Sequence, residues 1–211
     1  DQYEELYADA ALWLNEGWCD YFTPQLYWPI AQKPQSFPVL LDYWQSENRQ
    51  SRYIWPGLFT SRVGDKRRAF EMQEIPAQIE VVRSRGNSPG HVHFSMKALL
   101  QNREGLADAL KAGVYRSDAL SPAMTWLDDT PPAPPKVATE RTANGGRILK
   151  LNSGGDEPAW LWGVWVRSDG NWAFTTYPGQ TTSIDLAAST TDWVVTAVDR
   201  CGNESSRVAG Q

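Results

Sequence analysis

Gly17-Trp-Cys-Asp-Tyr-Phe-Thr-Pro-Gln-Leu-Tyr-Trp-Pro29 is the stretch whose reading decides the fold. It sets apolar residues on both faces of one extended run, the mark of a parallel strand covered on both sides. Side chains alternate along a strand, so Tyr21, Thr23, Gln25 and Tyr27 share one face and Asp20, Phe22, Pro24 and Leu26 the other. The polar groups Gln25 and Tyr27 gather toward the C-terminal end, and Trp28 follows them.

Working outward, residues 3–16 read as an amphipathic helix, with Leu6, Tyr7, Ala10, Trp13 and Leu14 on one stripe and Gly17 as its stop. Residues 19–28 follow as the first strand. Residues 34–50 read as a helix, 52–59 as a second buried strand, and 67–85 as a helix interrupted by Pro76. Gly86-Asn-Ser-Pro-Gly90 reads as a turn, 91–96 as a third strand and 102–112 as a closing helix. This alternation predicts an α/β unit. The chain then changes character. Asp128-Asp-Thr-Pro-Pro-Ala-Pro-Pro135 is a stiff proline-rich linker, and short alternating strands with Gly, Asn, Asp and Pro turns run to the end. The expected domains are therefore 1–127, a linker over 128–135, and an all-β sandwich over 136–211.

The chain has 211 residues, 41% of them hydrophobic, which is enough for a sizeable core. A net charge of −5 argues against a nucleic-acid partner, and the longest basic run is Lys66-Arg67-Arg68. Eleven Trp residues suit either a large aromatic core or stacking against the apolar faces of sugars. Cys19 and Cys201 fall in different expected domains and read as unbridged buried thiols. His91 and His93, with no Cys or paired carboxylate nearby, do not suggest a metal site, and no cofactor motif is present.

The first segment resembles the C-terminal part of the family 10 glycosyl-hydrolase-like proteins, (β/α)8 barrels of bacterial envelopes. Tyr7-Ala-Asp9, Trp13-Leu14 and above all Gly17-Trp-x-Asp20-Tyr21-x-x-Pro24-Gln25-x-Tyr27-Trp28 carry the resemblance. Ile54-Trp-Pro-Gly57-Leu-Phe59 and Gly90-x-x-x-Phe94-Ser95 support it. It covers about residues 1–127 and implies strands six, seven and eight of a TIM-type barrel. A barrel's chemistry lies at the C-terminal ends of its strands. Gln25, Tyr27, Trp28, Phe59, His93 and Ser95 are therefore the expected substrate-binding residues. Gln25 and Tyr27 are hydrogen-bonding groups and Trp28 a stacking platform, by analogy with the strand-end Tyr of family 18 chitinases. Asp20 begins its strand, at the face associated with stability, and Asp9 reads as a cap or ion-pair residue.

Glycoside hydrolysis ordinarily needs two carboxylates across the scissile bond, and these strand ends offer no such pair. The resemblance places the acid on the fourth barrel strand, which together with the rest of the N-terminal half of the barrel is not in this sequence. The expectation is a C-terminal fragment of a glycoside hydrolase, inactive alone. Its expected partner is an envelope polysaccharide such as peptidoglycan glycan strands or a related N-acetylated glucan, and its expected location the periplasm or outside the cell. The alternatives are a carbohydrate-binding module that does not cleave and a purely structural one.

The second segment resembles a fibronectin type III module through Trp193-Val-Val-Thr-Ala-Val-Asp-Arg-Cys-Gly-Asn-Glu-Ser205. Trp193, Val195 and Ala197 are expected to face its core. Trp160, Trp162, Val164 and Val166 are read as the inward face of a middle strand, with Leu161 and Trp165 outward.

Overall fold

A computed structural model describes residues 2–86, 90–143 and 145–211. The turn expected at 86–90 lies in part outside the described residues. Two compact units divide the chain, residues 1–116 and 117–211.

In the first unit α1 (Gln2–Leu6) and α2 (Ala10–Asn15) replace the single helix expected over 3–16. Tyr7 takes a left-handed backbone with φ 53, and Asp9 restarts the helix as its N-cap, its Oδ1 accepting the Leu12 amide at 2.9 Å. β1 (Tyr21–Phe22) is followed by α3 (Phe37–Ser46), β2 (Tyr53–Ile54) and β3 (Gly57–Leu58). Next come α4 (Glu74–Ser84), β4 (Val92–His93), α5 (Met96–Leu100) and α6 (Leu106–Ala112). All three strand pairings are parallel: Tyr21 with Tyr53, Gln25 with Gly57, and Leu58 with His93.

The ladders are shorter than the apolar runs suggested, and prolines explain much of this. Pro24 and Pro56 have no N–H to donate. Their carbonyls still accept, from Gly57 N at 2.8 Å and Val92 N at 3.1 Å. The middle strand thus bonds the first neighbour through Trp55 and Gly57 and the second through Pro56 and Leu58. Pro76 shortens the helix expected over 67–85. α4 starts at Glu74, so the ring falls in the first turn, where an N–H would have no partner in any case. The helix expected from 102 begins at 106, because Asn102 and Glu104 both have positive φ.

One face of this sheet is covered. Leu26, Ile54 and Leu58 lie against Phe37 and Leu41 of α3 and Ile79 of α4, all at 2% exposure or less. The opposite face remains partly open, with Tyr21 48% and Phe94 51% exposed.

The second unit is an antiparallel sandwich. Its strands are β5 (Lys136–Arg141), β6 (Arg147–Asn152), β7 (Leu161–Ser168), β8 (Asn171–Pro178), β9 (Ser183–Leu186), β10 (Thr190–Val198) and β11 (Val208–Gly210). They form one sheet in the order β5-β6-β9 and another in the order β11-β10-β7-β8. Trp162, Val164, Trp193, Val195 and Ala197 fill the core with Leu149 and Leu151. Trp160 does not join them. β7 starts one residue later, and Trp160 is half exposed. Residues 117–135 make hydrogen bonds within this unit: Asp118 accepts the Thr176 amide at 2.9 Å, Met124 N bonds Cys201 O at 2.7 Å, and Asn203 Nδ2 bonds Asp128 O at 2.9 Å. Cys19 and Cys201 are free and half-buried rather than fully enclosed.

Candidate functional site

The C-terminal ends of the three parallel strands bring together Gln25, Tyr27, Phe59, Phe94 and Ser95. Gln25 is exposed, and its Cα pairs with Gly57. A Cβ at Gly57 would stand 3.4 Å from both the Pro24 carbonyl and the Tyr27 ring, so the ring lies directly against this part of the strand. Tyr27 packs 4.5 Å from Phe59 and 5.7 Å from Phe94, while Phe59 and Phe94 meet edge to face at 5.7 Å. The Arg62 guanidinium sits 4.7 Å over the Phe59 ring. Burial pushes the Tyr27 hydroxyl above its ordinary pKa, and among the described residues it has no hydrogen-bond partner.

Trp28 is held by its backbone. Its carbonyl accepts Gln78 Nε2 at 3.1 Å, Gln78 also donates to Glu74 Oε1 at 2.9 Å, and Glu74 Oε1 takes the Ile30 amide at 2.7 Å. Two residues one helical turn apart on α4 therefore pin the loop that carries the indole. Sequence reasoning passed over Glu74 and Gln78; a polar i, i+4 pair on an otherwise apolar helix face was the available signal.

Ser95 and Ser61 form a hydroxyl pair at 3.1 Å, and Ser61 Oγ accepts the Ser95 amide at 2.9 Å. His93 lies elsewhere. It is in register with Leu58 and so belongs to the covered face. Its Nδ1 bonds Thr60 Oγ1 at 2.7 Å and its Nε2 bonds Tyr115 Oη at 2.7 Å, with His91 Nε2 on the same phenol. Burial holds both imidazoles near pKa 4 and lifts Tyr115 to about 12, so the cluster is neutral around pH 7. Tyr115 as the common partner of His91 and His93 was not legible in the sequence.

Chemically, the strand ends offer an amide, a phenol, two hydroxyls and aromatic planes. These bind and orient hydroxyl and amide groups, and none is a strong acid at neutral pH. Glu74, the carboxylate bonded into this region, is committed to the loop. Among the described residues no group of three His, Cys, Asp or Glu side chains could hold a metal ion. Asp20 is exposed at the opposite end of β1.

No family model matches the chain. The chain is 34% identical over 158 residues to glycosyl hydrolase YngK of Bacillus subtilis, a match covering 71% of this chain and 30% of that protein. It is 33% identical over 64 residues to glycosyl hydrolase DigH of Escherichia coli K12, covering 30% of this chain and 15% of that protein. Among solved structures, a fibronectin type III domain of human collagen XX superposes with TM-score 0.32 and 21% identity, covering 44% of this chain and 98% of that one. A fibronectin type III-like protein of Clostridium thermocellum gives TM-score 0.29 and 22% identity, covering 39% and 94%. The chain is thus similar to glycosyl hydrolases over part of its length and spans less than a third of the curated relatives it matches.

Proposed function

We propose that the first unit is the sugar-facing, C-terminal portion of a family 10-like glycoside hydrolase barrel, and that residues 117–211 form its fibronectin type III-like companion. One observation carries the reading: three parallel strands bring Gln25, Tyr27 and Phe59 together at their C-terminal ends beside the exposed Phe94, with Ser95 following at the end of the third strand. Gln25 and the Tyr27 hydroxyl orient a saccharide, Trp28 and Phe59 supply aromatic surface, and Ser95, paired with Ser61, adds a hydroxyl. His93, with both ring nitrogens occupied, supports the strand from behind.

Cleavage then rests on carboxylates of the remaining βα units, since a glycosidase needs a pair. The substrate is an envelope glycan, with peptide-free peptidoglycan strands the leading choice, and the setting is the bacterial periplasm or exterior. Hydrolysis of such glycans by the full-length protein and by residues 1–211 tests this. Product from the full-length protein alone is expected. Product from this chain alone, or none from the full-length protein, would overturn the reading.

A further inference from the structure

The outer face of the four-stranded sheet carries an aromatic surface that the first-unit site does not use. Register sets it out in rows. Val194, Trp165 and Phe174 stand side by side across β10, β7 and β8, and Asp192, Arg167 and Trp172 form the next row. Behind them Thr196, Gly163 and Thr176 make a row with little bulk. A Cβ at Gly163 would come 2.7 Å from the Thr196 hydroxyl, so a larger residue there would displace that side chain, and it would touch both aromatic rings at 3.4 Å. The Trp165 and Phe174 rings pack 4.5 Å apart, Trp172 is 50% exposed, and the Arg207 guanidinium sits 5.4 Å from the Trp165 ring centre. Trp165, Trp172, Val194 and Arg207 line an open surface depression of about 330 Å³.

A core explanation fails for these residues. The inward face of the same strands is already filled by Trp162, Val164, Trp193 and Val195, and a contiguous aromatic patch on the outer face, unlike a single exposed ring, marks a binding surface. The lining instead matches a ligand with flat apolar faces and a polar edge. Indole and phenyl planes take the C–H faces of a pyranose. Arg207, which pairs with no carboxylate among the described residues, lines the depression with donors, and the Arg167–Asp192 pair at 3.7 Å stands in the same row as Trp172. Stacked aromatics beside arginine also suit single-stranded nucleic acid, but a net charge of −5 disfavours that partner. The match to YngK covers 71% of the chain, more than the first unit alone contains, so it extends into the sandwich.

We propose that this sheet face is a second, non-catalytic saccharide-binding surface, seating a glycan chain over Trp172 and Trp165 with Arg207 at its edge. It rests on the reading of the chain as glycan-acting, and it is independent of where cleavage occurs.

The test uses the full 211-residue chain and retention on insoluble chitin and on peptide-free peptidoglycan glycan. In a background carrying Trp28→Ala, which removes the first unit's platform, retention is expected to persist. Adding Trp172→Ala or Arg207→Gln should then weaken it about tenfold or more, as loss of an anchor residue does, with near-ultraviolet circular dichroism unchanged. Retention that survives both additions overturns the surface. So does loss of all retention on Trp28→Ala alone, which leaves the first-unit reading standing, and so does preference for an oligodeoxynucleotide over either glycan. Conversely, retention that depends on Trp172 while the full-length protein fails to cleave soluble glycan would sink the hydrolase reading and not this one.

Discussion

Glu74 Oε1 accepts the backbone amide of Ile30 at 2.7 Å, joining the first residue turn of α4 to the loop that leaves the opening strand. The same oxygen takes Gln78 Nε2, whose other bond reaches the Trp28 carbonyl. Glu74→Ala strips a partner from two donors, and Gln78 is fully buried. The expected loss is about 1–3 kcal/mol of stability. The exposed Asp42–Arg85 pair, at 2.9 Å, provides the contrast, because Asp42→Ala should cost under about 1 kcal/mol. Chemical denaturation of both variants checks this; equal losses would show that the loop is held by something else.

The His91–Tyr115–His93 cluster predicts a pH dependence of defined sign. Both imidazoles have folded pKa values near 4, below the ordinary 6.5. Between those values the unfolded chain binds protons that the folded chain does not, so stability rises with pH across this window. It is full above about 6.5 and is lost as pH falls toward 4, by on the order of 3 kcal/mol for each histidine. His93→Gln, which keeps a hydrogen-bonding side chain without the titration, should flatten part of the slope. A wild-type midpoint that stays level or climbs from pH 6.5 down to 4.5 contradicts the assignment.

How far the sequence could be read depended on whether a feature was periodic or relational. Strand parity was legible: Phe22, Pro24 and Leu26 do turn to the covered face, and Gln25 to the open one, because alternation is a property of the local chain. The parallel pairing of the three strands was legible from their apolar runs. Element ends were not. Apolarity reports burial, and it cannot show that Pro24 and Pro56 interrupt donation or that Tyr7 takes a left-handed turn. Trp160 was misplaced for the same reason, since alternation was extended past the true start of β7. In the site, Gln25, Tyr27 and Phe59 followed from position on the strands. Glu74, Gln78 and Tyr115 act through partners distant in sequence, and a single sequence gives no sign of who those partners are.

Gly210 pairs with Trp193 across β10 and β11, and a Cβ there would fall inside the Trp193 indole. Trp193 is a core residue at 5% exposure, so the ring has little room to move. Gly210→Ala should therefore destabilise the sandwich by about 1–3 kcal/mol, the usual range for overpacking. Pairing it with Trp193→Phe, which shortens the ring system, should recover part of that loss relative to Trp193→Phe alone. Strict additivity of the two in thermal unfolding would mean the side chains do not collide.

Tyr27, Trp28 and Asp20 separate binding from folding along one strand. Tyr27→Phe keeps the aromatic contacts to Phe59 and Phe94 and removes only the hydroxyl, which has no partner among the described residues. Its stability should be unchanged, whereas activity of the full-length protein should drop by the worth of one hydrogen bond, about 0.5–1.5 kcal/mol. Trp28→Ala removes stacking surface while the backbone bond from Gln78 to residue 28 survives. Lost stacking is largely uniform binding, so KM should rise with kcat little changed. Asp20 lies before Tyr21, at the end of the strand away from Tyr27. Asp20→Asn should leave turnover per folded molecule intact and act, if at all, on the melting temperature. Kinetics of the three variants on a peptide-free glycan decide the matter: abolished turnover in well-folded Asp20→Asn, with Tyr27→Phe and Trp28→Ala unaffected, would place the chemistry at the other end of the strand.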